Sequence, residues 1–136
     1  MITRAAVLSA ARACLGVRFR HQGRTRVQGL DCAGLVVHVC EQLGVPIEDC
    51  LNYAHYPDYR VLSRALHQHL TPISLHEIQP GDVLRFIAGS DPVHLGIATD
   101  IGVIHAAASH RKVVEHLLSN DSALRLVEAY KIPGVS

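Results

Sequence analysis

From Pro80 onward, short apolar runs are joined by turns too brief to hold a crossover. Pro80-Gly81 is a turn, Val83 to Ala88 reads as a strand, and Gly89-Ser90-Asp91-Pro92 turns the chain into a second strand, Val93 to Thr99. Asp100-Ile101-Gly102 turns it again into Val103 to Ala107, and Val113 to Leu117 and Leu124 to Lys131 complete five strands. Parallel neighbours need a crossover of about a dozen residues, so strands joined this closely must be antiparallel. Before Pro80 the patterning is helical. With helices first and strands later, the chain reads as an α+β fold, N-terminal helices packed on a C-terminal antiparallel sheet.

Thr3 to Leu15 reads as the first helix: Thr3 can cap it, Val7, Ala10, Ala11, Cys14 and Leu15 form an apolar stripe, and Gly16 stops it. The second helix has Asp31 as N-cap and Gly44 just past its end. Cys32, Leu35, Val36, Val39 and Leu43 recur at three- and four-residue steps, which puts them on one buried face. Between these helices, Val17 to Gln28 reads as a polar loop. Val45 to Tyr59, with Pro46, Asn52 and Pro57, reads as irregular. A helix over Tyr59 to Leu70 follows, its His67 and His69 expected in solvent, and then a short turn or helix over Pro72 to Ile78.

A chain of 136 residues fits one domain, 1–136. With 49% hydrophobic and 18% charged residues it can bury a real core. A net charge of +1 gives no reason to expect nucleic acid as a partner, and the basic loop lacks interleaved aromatics apart from Phe19. No apolar run approaches about 18 residues, so no membrane span is expected. Met1-Ile2-Thr3-Arg4 leads straight into the first helix without the pattern of an export signal. The expectation is synthesis in the cytoplasm, with any action outside it depending on another carrier. The four cysteines, Cys14, Cys32, Cys40 and Cys50, contain no Cys-x-x-Cys pair, so neither zinc nor thioredoxin-like chemistry is indicated. They are too sparse for a disulfide scaffold. Cys14 and Cys40 read as buried structural thiols, and Cys50 is uninformative.

Cys32 sits in the first turn of its helix, where the partial positive charge of the helix N-terminus favours the nucleophilic thiolate. A buried hydrophobe starting a helix would look the same from this stretch alone. A nucleophilic cysteine needs a base, and histidine suits neutral pH. His94 opens the second strand, with His94, Gly96 and Ala98 on one face by alternation; residues this small let another element approach, the second helix being expected there. His105 lies on the next strand and can meet His94 across the hairpin. The constellation is then Cys32 as nucleophile, His94 as base and His105 as the group that orients the base. Arg18, Arg20, Arg24 and Arg26, in the loop before Cys32, read either as a solvated face or as a rim that binds carboxylates.

Four motifs in order carry a resemblance to a known family: Leu30-Asp31-Cys32-Ala33-Gly34-Leu35-Val36, Gly81-Asp82-Val83-Leu84-Arg85-Phe86, His94-Leu95-Gly96-Ile97 and Ile104-His105-Ala106. Together they resemble the NlpC-type cell-wall cysteine peptidases over about residues 1 to 131. The resemblance implies a compact papain-like fold and cleavage of peptide bonds in the stem peptides of bacterial peptidoglycan. It implies Cys32 as nucleophile, His94 as base, His105 as third member, and no metal or cofactor. Gly16 to Gly23 resembles the segment before the nucleophile, where the family has a tyrosine that serves the oxyanion and this chain has Phe19. The oxyanion donors expected instead are the backbone N–H of Cys32 and the side chain of Gln22 or Gln28, with Gln22 grouped with the arginines at the substrate. The Arg-rich loop, Tyr56-Pro57-Asp58-Tyr59 and the ending Tyr130-Lys131-Ile132-Pro133-Gly134 look most like the phage-tail and gene-transfer-agent subgroup. That implies tail-tip or baseplate hub proteins as partners and delivery to the periplasm or cell wall by the particle. The alternatives are a structural tail-tip protein with little activity, and a cysteine amidase or acyltransferase on the same fold.

Overall fold

The computed structural model describes residues 1–47, 59–89, 91–118 and 123–136. The expectations for Cys50, for Tyr56-Pro57-Asp58 and for most of the irregular segment 45–59 lie outside these residues. Helix α1 (Arg4–Arg12) begins at Thr3, whose hydroxyl accepts the Ala6 N–H at 3.0 Å. It ends one turn earlier than its apolar stripe suggests. Cys14 and Leu15 donate to the carbonyls three residues back, and the Gly16 N–H leaves the helix for Val113 O at 3.0 Å. Gly16 takes φ +84°, the left-handed turn that redirects the chain.

The segment expected to be a polar loop contains part of a small hairpin, β1 (Arg24–Thr25) against β2 (Gly29–Leu30). Helix α2 (Cys32–Gln42) follows directly, and Gly44 beyond it has φ +71°. Helix α3 (Tyr59–His69) matches the expected span within a residue. Strands β3 (Thr71–Ile73), β4 (Val83–Ala88), β5 (Asp91–Ala98), β6 (Val103–Ala107), β7 (Lys112–His116) and β8 (Leu124–Lys131) form one antiparallel sheet in the order β3-β8-β4-β5-β6-β7.

Thr71–Ile73 is an edge strand rather than a turn or helix; it pairs with Ala129 to Lys131, and Pro72 is tolerated because an edge leaves one side of its backbone unpaired. Asp91 and Pro92 belong to β5 rather than to the turn. A register shift after Phe86 brings Ala88 opposite Asp91, and Gly89 takes φ +60°.

Leu35, Val36 and Val39 of α2 are fully buried in one cluster with Leu95, Ile97, Ile104 and Ala106. Each such aliphatic side chain contributes about 2 kcal/mol relative to exposure. The helix thus packs on the Leu95 and Ile97 positions of β5, not over Gly96 and Ala98 as expected. Ala98 instead joins a second cluster with Leu84, Phe86, Val103 and Ala129. Gly96 serves its neighbour in the sheet: a β-carbon there would come within 2.6 Å of Val103 Cγ2 and 3.4 Å of His105 Cβ. Buried Asp82 ties α1 to the sheet, taking the Arg4 guanidinium at 2.8 Å and the Gln79 N–H at 2.8 Å. None of the helices is long and apolar enough to cross a membrane, among the described residues.

Candidate active site

The start of α2 is built by one carboxylate. Asp31 is 1% exposed. Its Oδ1 accepts the Gly34 N–H at 2.7 Å and the Arg24 guanidinium at 2.8 Å, and its Oδ2 accepts the Gln22 N–H at 2.8 Å. An ionised carboxylate with these donors caps the helix and binds the preceding hairpin to its first turn. Gln22 is held at φ +60°, an uncommon backbone state for a residue with a β-carbon. The Gly23 carbonyl lies against Gly34, where no side chain fits.

Cys32 is the first residue of α2 and is 6% exposed. It belongs to the same buried cluster as Leu95 and Ala106, whose side chains alternate along β5 and β6 with those of His94 and His105. Burial raises the Cys14 thiol above its ordinary range and pushes Cys40 up to about 12, which suits the structural roles expected of them.

His94 and His105 come together. His94 Nε2 lies 2.6 Å from His105 Nδ1, with the rings nearly perpendicular and their centroids 4.9 Å apart. They are 9% and 1% exposed. Phe86, opposite His94 in the sheet, stands against the His94 ring at 6.2 Å between centroids. A cavity of about 290 Å³ opens beside the pair, lined also by the small side chains of Ala88, Ala107, Ala108 and Ala123.

The array does not stop at His105. His105 Nε2 lies 2.7 Å from His116 Nε2, and His116 Nδ1 lies 2.8 Å from Leu117 O. His116 is a site residue that sequence reading missed. A signal was present: His94, His105 and His116 are spaced by eleven residues each, one on every successive strand. Val103 pairs with His116 and His105 with Val114, so the alternation of β7 puts His116 on the same face as His105. The three rings pass nitrogen to nitrogen rather than converging on one point, and among the described residues no His, Cys, Asp or Glu cluster has the form of a metal site.

The arginines divide. Arg24 is committed to Asp31, and only 19% of its side chain is exposed. Arg18, Arg20 and Arg26 are exposed, with Arg18 Nε donating to Gln28 O at 2.8 Å. Burial, followed by the Arg26 charge, lowers the titration of His38, a residue about 9 Å along the helix axis from Cys32. Arg26 therefore stands within electrostatic reach of the body of α2. Gln22 gives its backbone N–H to Asp31, Gln28 is exposed, and Phe19 is partly buried against the core.

The chain is similar to known proteins in sequence and in fold. Residues 16–129 match the model of the NlpC/P60 family. The probable endopeptidase Rv2190c of Mycobacterium tuberculosis is 33% identical over 101 residues, 74% of this chain and 22% of that protein. The chain thus spans about a fifth of the length of the curated relatives it matches. Among solved structures, the NlpC/P60 domain of the peptidoglycan hydrolase SagA superposes with a TM-score of 0.71 at 22% identity, covering 96% of this chain and all of that domain. RipD of Mycobacterium tuberculosis, described as a non-catalytic NlpC/P60 domain protein adapted to peptidoglycan binding, superposes with a TM-score of 0.64 at 12% identity over 94% of this chain and 95% of that one. The fold is the papain-like α+β domain, and the chain belongs to the NlpC/P60 family.

Proposed function

We propose that this chain is a cysteine endopeptidase acting on peptidoglycan stem peptides, with Cys32 as nucleophile, His94 as general base and acid, and His105 orienting His94. The observation that carries this reading is the 2.6 Å contact from His94 Nε2 to His105 Nδ1, on the two strands that support the helix begun by Cys32. One nitrogen of His94 is engaged for orientation, and the other is the atom for proton transfer. Cys32 Sγ attacks the scissile carbonyl as His94 takes the thiol proton. The tetrahedral oxyanion collapses to a thioester, and His94 returns the proton to the leaving amine. Water activated by His94 then hydrolyses the thioester and frees the carboxylic acid. The Cys32 backbone N–H, at a helix start where N–H groups have no intrahelical partner, is suited to the oxyanion, with the Gln22 side chain as second donor. Exposed Arg18 and Arg20 are suited to the free carboxylates of the stem, and Arg26 is a weaker candidate for that role.

Digestion of defined muropeptides by the wild type and by Cys32→Ala, read by mass spectrometry, tests the assignment. New amine and acid termini with the wild type alone are the expected result. A second reading is supported by Phe19, which offers no hydroxyl to the oxyanion, and by the likeness to RipD. On that reading both proteins sediment with peptidoglycan and neither cleaves it. Placement of the enzyme at a phage or gene-transfer-agent tail tip, beside hub proteins and acting in the periplasm or cell wall, rests on the sequence resemblance. Its expected result is the chain's appearance among the proteins of purified particles.

A further inference from the structure

We infer that His116 is a positioning residue that sets the proton polarity of the histidine array and so decides which nitrogen of His94 is basic. This rests on the peptidase reading only for its consequence in catalysis; the polarity itself follows from the hydrogen bonds of three neutral rings. A carbonyl oxygen only accepts, so the 2.8 Å contact between His116 Nδ1 and Leu117 O places a proton on Nδ1. Neutral His116 then carries its lone pair on Nε2. The 2.7 Å contact across to His105 must be donated by His105 Nε2. Neutral His105 in turn carries its lone pair on Nδ1 and accepts from His94 Nε2 at 2.6 Å. His94 is left with its lone pair on Nδ1, the nitrogen turned away from His105. One carbonyl at the end of β7 thus sets three tautomers in succession.

The polarity can be reversed from position 116. A group at position 116 that only donates would force His105 into the Nδ1–H form, which would donate to His94 Nε2. His94 would then hold its proton on Nδ1 and lose the ability to take one from a thiol there. The fold protects the placement of His116. Gly102 packs against the His116 carbonyl so closely that no β-carbon fits, and Gly96 admits His105 beside β5. Val103 and His116 stay paired across the β6-β7 ladder.

The test uses the full chain with 15N-labelled histidine. Long-range 1H–15N correlation reports which ring nitrogen carries hydrogen, with assignments from single-histidine variants. The expected wild-type pattern is Nε2–H on His94 and His105 and Nδ1–H on His116. His116→Leu removes the acceptor and should mix the tautomers of His105 and His94. It should lower kcat on muropeptides by about tenfold to a hundredfold with little change in KM, less than the ~10⁴ that a wrong tautomer costs in a serine triad. His116→Gln, which offers an acceptor, should restore both the pattern and most of kcat. If His116→Leu fails to fold, His116→Lys takes its place and should move His105 to the Nδ1–H form. Wild-type tautomers in His116→Leu, or in His116→Lys where His116→Leu does not fold, would overturn the inference. Absence of muropeptide cleavage by the wild type would sink the peptidase reading and leave the spectroscopic result to decide the polarity by itself.

Discussion

The carbonyl oxygen of Gly23 rests against Gly34 at the point where a β-carbon on that residue would project. The two glycines join the hairpin before α2 to the first turn that carries Cys32, and the Asp31 carboxylate holds the join by accepting the Gln22 and Gly34 N–H groups. Gly34→Ala must push the Gly23 backbone away, and backbone yields poorly. We expect a loss of about 3 kcal/mol, the upper end of what overpacking costs. Urea unfolding checks it, and a loss below about 1 kcal/mol would mean that the contact is soft.

Cys32 should be the fast-reacting thiol among Cys14, Cys32 and Cys40. Burial holds the Cys14 thiol above its ordinary range and places Cys40 at about 12, so both remain protonated near neutral pH. Cys32 starts a helix, where the thiolate is favoured. Iodoacetamide labelling of the folded protein near pH 7.5 with peptide mapping measures this. His94→Ala should slow labelling of Cys32 and leave Cys14 and Cys40 unaffected. Equal rates at Cys32 in the wild type and His94→Ala would separate the two residues functionally.

The parts legible in the sequence are those fixed by local chemistry. Asp31 and Gly44 announce the ends of α2 because capping is decided within one turn. The β6 and β8 spans follow from apolar runs and short turns. His94 and His105 were found because strand order and alternation bring them together. What escaped depends on distant partners. Thr71–Ile73 is a strand only because Ala129 to Lys131 lie beside it. His116 gains its role from His105 across a ladder, and among ten histidines its residue type carried no weight. The small size of Gly96 does mark a close approach, but the approaching element is β6 rather than α2. Arg24 pairs with Asp31 seven residues away, a structural use that its proximity to the nucleophile concealed.

Arg12 joins α1 to the far end of the sheet, bonding Glu115 at 2.9 Å and also Asp100. The Arg12 hydrogen bonds hold the carboxyls of Glu115 and Asp100 below their ordinary ranges. A depressed carboxylate contributes stability that is complete above its unfolded pKa, about 4.3 for Glu. That contribution is lost as the pH falls through the folded value. The difference in Tm between the wild type and Arg12→Gln should therefore be full at neutral pH and shrink steadily in acid. A difference independent of pH would assign the effect to packing of the arginine stem instead.

The arginines before Cys32 should separate into two kinds. Arg24 is partly buried against Asp31, so Arg24→Ala leaves a buried carboxylate without its cation and should destabilise the fold by about 3 kcal/mol. Arg18 and Arg20 are exposed, and their replacement should leave stability within about 0.5 kcal/mol. If they receive the stem carboxylates, Arg18→Ala and Arg20→Ala should raise KM with kcat unchanged, because charge pairing is made equally in the ground and transition states. Added salt should mimic these changes, since exposed charges are screened over about 8–10 Å. Arg26→Ala, whose cation acts on His38, should let the His38 imidazole titrate closer to its ordinary range. Steady-state kinetics on muropeptides and urea unfolding of the four single variants decide the division. An unchanged KM in Arg18→Ala and Arg20→Ala would remove the carboxylate rim and leave the Cys32 and His94 assignment standing.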